Sequence, residues 1–125
     1  VTVTGFVPDI RSYYIDSVVA IAPIRFGAGT LNKILEPLAL GIPVVTTSIG
    51  VEGLPLRDGR DILIADTPDE FENSIVRLLR DQQLGKRMAE NAKLIVRTLY
   101  GWQSIAHQLE NYYQHLKQDH SAHEA

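Results

Sequence analysis

Strand-like and helical stretches alternate along the first half of the chain, and this order predicts an α/β fold built as a parallel, three-layer sheet. Two further observations support it. The runs Val18–Ile24 and Pro43–Thr47 are dense in Val, Ile and Ala instead of alternating with polar residues, as strands buried on both faces are. Between them stands a helical pattern, Leu31–Leu40, with Leu31, Ile34, Leu35 and Leu38 on one face and Gly41 as its stop signal.

Four strands are expected: Val1–Val7, Val18–Ile24, Pro43–Thr47 and Asp61–Ala65. Asp9–Ile15 reads as a short helix or a turn. The second half is helical. Thr67-Pro68-Asp69-Glu70 is a helix start, with Thr67 as N-cap, Pro68 in the first turn and Glu70 closing a capping box. Phe71, Ile75, Leu78 and Leu79 follow on one face. Asp81 can cap a second helix that points Leu84, Met88, Ala92, Ile95, Val96 and Leu99 inward. After Tyr100-Gly101 a third stripe runs through Trp102, Ile105, Leu109, Tyr112 or Tyr113, and Leu116. Such stripes are core by default. The organisation expected is one partial domain over residues 1–116 and a polar, frayed tail over 117–125.

Composition removes several functional classes. A length of 125 residues allows one domain or a piece of one. The net charge of −3 argues against a general nucleic-acid binder, which is usually strongly basic. With no cysteine there is neither a disulfide nor a thiolate metal site. His107, His115, His120 and His123 do not converge, and no metal site is expected. No apolar run approaches the ~20 residues needed to cross a bilayer. The chain opens on Val1-Thr2-Val3-Thr4 with neither a signal peptide nor an initiator Met, and so reads as an excision from something longer.

In open parallel sheets ligands bind outside the carboxyl ends of the strands. Three loops leave strands at that end: Gly5–Asp9, Pro23–Thr30 and Thr46–Gly53. In the second, Gly27 and Gly29 allow close backbone approach just before a helix begins near Leu31. Exposed N–H groups and the positive end of the helix dipole form an anion site there, with Arg25 and Lys33 able to add charge. Two glycines also suit a tight strand-to-helix turn beside a solvated Arg25. A dinucleotide fingerprint fits poorly, since Asn32 stands where a third glycine belongs and no acidic residue ends a strand about 20 residues on. Glu36, in the second turn of the same helix, offers acceptor chemistry suited to the vicinal hydroxyls of a ribose. Taken alone, such a glutamate is more often a solvated surface carboxylate. Pro37 costs that helix a hydrogen bond. Nothing resembles a Ser-His-Asp set or a positioned carboxylate pair, and no catalytic residue is assigned.

The run from Gly27 to Thr47, with its core Gly27-Ala28-Gly29-Thr30-Leu31-Asn32-Lys33-Ile34-Leu35-Glu36-Pro37-Leu38, closely resembles the donor-site segment of family 4 (group 1) glycosyltransferases. The surroundings agree in order: Gly5-Phe6-Val7-Pro8-Asp9 upstream, then Gly50-Val51-Glu52-Gly53-Leu54, Ile64-Ala65-Asp66, Pro68-Asp69-Glu70-Phe71 and Tyr100-Gly101-Trp102. The resemblance covers residues 1 to about 116. It implies a Rossmann-like sheet lacking its first strands, with a helical C-terminal end, forming the C-terminal part of a GT-B fold. It further implies the donor-binding part of a retaining glycosyltransferase, of hexosyltransferase type and suited to polysaccharide biosynthesis. The donor is a nucleoside-diphosphate sugar, no cofactor or metal is needed, and the acceptor is bound by an absent N-terminal domain.

By that resemblance Gly5, Phe6 and Val7 line the base pocket. The loop with Arg25, Gly27, Gly29 and Thr30, followed by Leu31 and Lys33, meets the diphosphate. Glu36 meets the ribose, and Gly50, Val51 and Glu52 face the cleft near the sugar or phosphates. The family often carries a second glutamate eight positions before Glu36, near the donor sugar. Here that position is Ala28, so sugar recognition departs from the usual carboxylate. The compartment implied is cytoplasmic, with a parent peripheral at the inner face of the cytoplasmic membrane. The chain alone is expected to transfer no sugar. A stand-alone, non-catalytic nucleotide-binding or interaction module of α/β type is the alternative.

One expectation concerns assembly. In a six-stranded sheet of order 3-2-1-4-5-6, Val1–Val7 is strand 3 and Val18–Ile24 is strand 4, and the strands between them are missing. Val18–Ile24 then exposes an apolar edge, a template for pairing. Either the chain self-associates there, exchanging its first strand or not, or strand 3 pairs directly on strand 4.

Overall fold

The computed structural model describes residues 1–27 and 31–123, with the backbone alone described for Leu31 and for residues 116–123. The elements are α1 (Arg11–Ile15), β1 (Ala20–Ala22), α2 (Leu31–Leu40), β2 (Val44–Thr46), a 3-10 turn (Ile49–Val51), β3 (Leu63–Ile64), α3 (Pro68–Arg80), α4 (Gln82–Tyr100) and α5 (Trp102–His123). The three strands form one parallel sheet of order β1-β2-β3, with Ala20 opposite Val44 and Val45 opposite Leu63. The expected α/β class with a parallel sheet is what the chain adopts.

Two clusters cover the two faces of β2. Ile34, Leu38, Val44, Ile62, Ala92 and Val96 bring α2 and α4 together on one face, while Val45, Leu63, Leu78 and Met88 bring α3 and the start of α4 onto the other. Val44, Val45 and Thr46 are all buried, as the unbroken apolar run requires. Ile34 and Leu38 are both 0% exposed; burying side chains of this size is worth about 1.5–3 kcal/mol each.

Local signals set the helix ends. Thr67 Oγ1 accepts from the Glu70 N–H and the Glu70 carboxylate accepts from the Thr67 N–H, completing the capping box, with Pro68 at the first turn. Asp81 accepts from the Leu84 N–H to start α4. Gly41 ends α2 with φ +81, a left-handed conformation that costs glycine little. The two backbone N–H groups of Asp66 and Thr67 hold the Glu70 carboxyl below its ordinary value of 4.5. A folded-state value lowered in this way gives stability that is present above the unfolded value and lost as pH falls through the folded one. Thr67→Ala is therefore expected to lower stability by about 0.5–2 kcal/mol at neutral pH. Thermal melts of the wild type should also show an acid loss, beginning below about pH 5, that Glu70→Gln flattens. A Glu70→Gln melting profile parallel to the wild type down to pH 3 would remove the carboxylate from this account.

Several expectations are corrected. Val1–Val7 is not a strand: it pairs with nothing among the described residues, and Val1, Val3 and Phe6 are exposed. A β-prone run cannot become a strand without a neighbour to satisfy its backbone groups, so strand 3 does not close onto strand 4. Val18–Ile24 shrinks to Ala20–Ala22 and is not covered on both sides, for Val18 and Ile21 are exposed. The stripe of α5 is not core. Trp102 is 87% exposed, and Ile105, Leu109, Tyr112 and Tyr113 are exposed with it, because α4 is the element that α5 packs against. Of the inward residues named for α3 and α4, Leu79 and Leu99 are exposed. The α5 helix continues through Lys117 to His123, into the stretch that reads as a polar tail.

Candidate functional site

All three strands are parallel, so their carboxyl ends lie on one side of the sheet, and a row of hydroxyl residues ties them together. Thr46 Oγ1 donates to the Ala22 carbonyl at 2.8 Å and Thr47 Oγ1 to the Ile24 carbonyl at 2.6 Å, both buried. The Ser48 N–H and Oγ both donate to Asp66 Oδ1 at 2.9 Å. The end of β2 is thereby bonded to the chain leaving β1 and to the chain leaving β3. Thr47 Oγ1 also accepts from the Gly50 N–H, which folds the 3-10 turn back over the sheet. Thr47, Ser48 and Asp66 are not among the expected site residues. Their signal is present in the sequence, as hydroxyls directly after a buried strand and an aspartate directly after the next.

From this rigid edge the loops depart. Arg25 and Phe26 are exposed. Gly27 has φ +113 with open space around it, so a side chain there meets backbone strain and not a clash. Ala28, Gly29 and Thr30 lie outside the described residues. The backbone of α2 starts at Leu31, and Lys33 and Glu36 stand exposed on its first two turns. Ile34 and Leu38 anchor the opposite side of α2 in the core, so packing positions Glu36 without involving it.

Glu36 faces α1. Pro8, Asp9, Arg11 and Tyr14 on one side, and Glu36 and Leu40 on the other, line an open cleft of about 490 Å³, within the ~300–1,000 Å³ of small-molecule sites. Burial pushes the Tyr14 hydroxyl above its ordinary range and the negative charge of Glu36 adds to the shift, so at neutral pH the phenol keeps its proton and remains a donor beside an acceptor. Asp9 and Arg11 form an exposed pair at 2.9 Å, and the Arg11 guanidinium holds the Asp9 carboxyl below the usual range. Gly5 (φ +67) and Phe6 are exposed and Val7 is half-buried, immediately before this cleft.

Gly50, Val51 and Glu52 take three different positions. Gly50 is buried, and a Cβ on it would fall on Thr46 Oγ1 and lie 3.1 Å from Ile34 Cδ1. Val51 is half-buried against the α2–α4 core, and Glu52 is exposed. Arg25 lines a cleft beside β1 and α3, with Thr47, Asp66 and Phe71, while Glu36 lines the separate cleft beside α1. The structure does not bring these two together, and Gly50 has a packing role. Among the described residues there is no group of three His, Asp or Glu that converges as metal ligands, and no helix is long and apolar enough to cross a membrane.

Comparison with known proteins bears on family and fold. Residues 1–81 match the family described as "Glycosyl transferases group 1". The chain is 28% identical over 116 residues to "Putative glycosyltransferase YtcC" of Bacillus subtilis (strain 168), covering 89% of this chain and 28% of the relative. Its fold superposes on sucrose-phosphate synthase from Thermosynechococcus elongatus with a TM-score of 0.68 at 23% identity, over 88% of this chain and 28% of that one. The chain thus spans less than a third of each of these two proteins. The parallel sheet, the loops at its carboxyl edge and the family match over more than half of the residues lead to one conclusion: this chain belongs to the group 1 glycosyltransferases, and its α/β architecture is that of part of a GT-B fold.

Proposed function

We propose that this chain forms the donor-binding part of a retaining glycosyltransferase that moves a hexosyl group from a nucleoside-diphosphate sugar to a glycan, lipid or other acceptor, in polysaccharide biosynthesis. The observation that carries the reading is the position of Glu36. It is exposed on α2, within two turns of a helix start that follows the Gly27 loop, and it lines the cleft beside α1. In this reading the diphosphate lies against Gly27, Gly29, Thr30 and the backbone of Leu31. The Arg25 and Lys33 side chains supply positive charge, and the helix N-terminus stabilises the charge that develops as the diphosphate leaves. Glu36 accepts from the ribose hydroxyls, with the protonated Tyr14 hydroxyl beside it. The base sits by Gly5, Phe6 and Val7. Of the turn after β2, Glu52 reaches toward the sugar or phosphates, and Gly50 and Val51 set where it stands.

No metal or cofactor has a role in this reading, and no catalytic residue is placed on the chain. The acceptor is held by a part of the protein outside it, in a cytoplasmic enzyme that works at the inner face of the membrane.

Titration calorimetry with a panel of nucleoside diphosphates tests the assignment. Glu36→Ala removes hydrogen bonds to a charged acceptor, worth about 1.5–3 kcal/mol, so its affinity should fall about 10- to 150-fold with an unchanged melting temperature. Equal affinity in wild type and variant would remove Glu36 from the site. No binding of any nucleotide at millimolar concentration would favour an interaction module instead.

A further inference from the structure

The cleft between α1 and α2 sorts chemical groups by charge. Asp9 and Arg11 at its rim cancel each other, since the guanidinium Nε and Nη2 donate to the two carboxylate oxygens at 2.9 Å. Among the described lining residues that leaves one net charge, the carboxylate of Glu36. Such a cleft repels a phosphate and suits a neutral, hydroxyl-bearing ring, with Pro8 and Leu40 on its apolar wall. Tyr14 is held in place from both ends of α1. Ahead of the helix the Arg11 N–H donates to Asp9 Oδ1 at 3.0 Å. Behind it the Ser17 N–H donates to the Tyr14 carbonyl at 2.9 Å and Ser17 Oγ to the Tyr13 carbonyl at 2.6 Å. Tyr14 is half-buried, whereas its neighbour Tyr13 is exposed. Glu36 acts on the Tyr14 hydroxyl through its charge, and the two are not hydrogen-bonded to each other.

We propose that one hydroxyl of the ligand bridges this gap, accepting from the Tyr14 phenol and donating to the Glu36 carboxylate, and that Tyr14 thereby selects a ribonucleotide donor over its deoxy counterpart. The inference rests on the donor-site reading. The chemistry of the two ends defines the bridge. A phenol that keeps its proton offers a donor, and an ionised carboxylate is an acceptor only. The group between them must accept and donate through one atom. A hydroxyl does both, whereas a carbonyl oxygen cannot donate to Glu36 and an ammonium cannot accept from Tyr14. In the resulting chain, phenol to hydroxyl to carboxylate, each bond polarises the next. Glu36 alone accepts from both hydroxyls of a vicinal diol and treats them alike. Tyr14 makes them unequal, because its single proton serves one of the two. Its role is in specificity, since it touches the ribose and not the reacting atoms.

Titration calorimetry of the 125-residue chain with uridine, guanosine and adenosine diphosphates, each beside its 2′-deoxy and 3′-deoxy analogues, tests this on the wild type, Tyr14→Phe and Glu36→Ala. Tyr14→Phe keeps the ring and removes the hydroxyl, so its melting temperature should match the wild type. It should weaken the ribonucleotide about 2- to 13-fold, the loss of one neutral hydrogen bond. Against the analogue that lacks the bridging hydroxyl the same substitution should have no effect, and against the other analogue its full effect. A packing role for the ring would not produce that split. Wild-type affinity equal for the ribonucleotide and both analogues would overturn the proposal without any substitution. Tyr14→Phe affinities equal to the wild type, while Glu36→Ala binds more weakly, would overturn the role of Tyr14 and leave the donor site standing. An equal loss against the ribonucleotide and both analogues would do the same. No binding of any of these nucleotides at millimolar concentration would overturn the donor-site reading and this inference with it.

Discussion

Gly50→Ala is expected to cost the fold about 2–6 kcal/mol, although it adds a single methyl group. The backbone at Gly50 is not in the left-handed region, so the loss does not come from strain in φ. It comes from space. The new Cβ would fall on Thr46 Oγ1, a short, fully buried side chain with nowhere to swing, while Ile34 Cδ1 closes the other side at 3.1 Å. Overpacking of this kind costs about 1–3 kcal/mol. Moving Thr46 also breaks its 2.8 Å bond to the Ala22 carbonyl, and a buried group left without a partner costs about 1–3 kcal/mol more. A drop in melting temperature of about 8–24 °C follows for a chain of this length. Thr46→Ala removes the obstructing oxygen, so the double variant should lose less than the sum of the single ones. Additive losses, or a Gly50→Ala melting temperature within about 2 °C of the wild type, would show that the turn slides away and that Gly50 is not a packing glycine.

How far such features are legible in the sequence depends on how local their causes are. The start of α3 is written in four consecutive residues, and Thr67 and Glu70 do what their spacing requires because both partners of each bond lie within one turn. The burial of Val44–Thr46 is legible for a similar reason: an unbroken apolar run has no polar face to offer water. Periodicity in α5 identifies an apolar stripe but not its cover, and Trp102 and Ile105 stand exposed among the described residues. Val1–Val7 pairs with no strand among the described residues, and such β-prone residues are strand or coil according to what lies beside them.

The candidate site divides along the same line. Glu36 and Gly27 are visible because the helix start that joins them is a local pattern. Tyr14 beside Glu36 is not, because their neighbourhood depends on how α1 settles against α2. The ladder from Thr46 to Asp66 spans 18–24 residues in sequence per bond, and only the parallel register of three strands brings those atoms within reach. Gly50 shows what the structure adds to a resemblance. Its place in a recurring motif marks it as a cleft residue, and its neighbours add that a side chain there collides with the core.

Leu38→Ala is expected to destabilise the chain by about 2–5 kcal/mol, the range for emptying a well-packed leucine site, and to leave nucleotide affinity nearly unchanged. Leu38 is 0% exposed and sits with Ile34, Val44, Ala92 and Val96 where α2 meets α4. The ring of Pro37 next to it is also fully buried, and a proline-containing helix has little freedom to collapse into the space, so the cavity term should remain. At about 100° per residue, Glu36 lies roughly opposite Ile34 and Leu38 on α2. One face of the helix therefore holds it in the fold and the other carries the proposed ribose contact. Denaturant titration of Leu38→Ala should show the full loss, whereas Leu94→Ala, at a position 70% exposed, should stay within about 0.5 kcal/mol of the wild type. Calorimetry at 10–15 °C, where Leu38→Ala is still folded, should find its nucleotide affinity within about twofold of the wild type, in contrast to the loss expected of Glu36→Ala. A Leu38→Ala loss below 1 kcal/mol would mean that α2 repacks freely. It would then offer Glu36 no fixed position, and the packing argument for the site would fall with it.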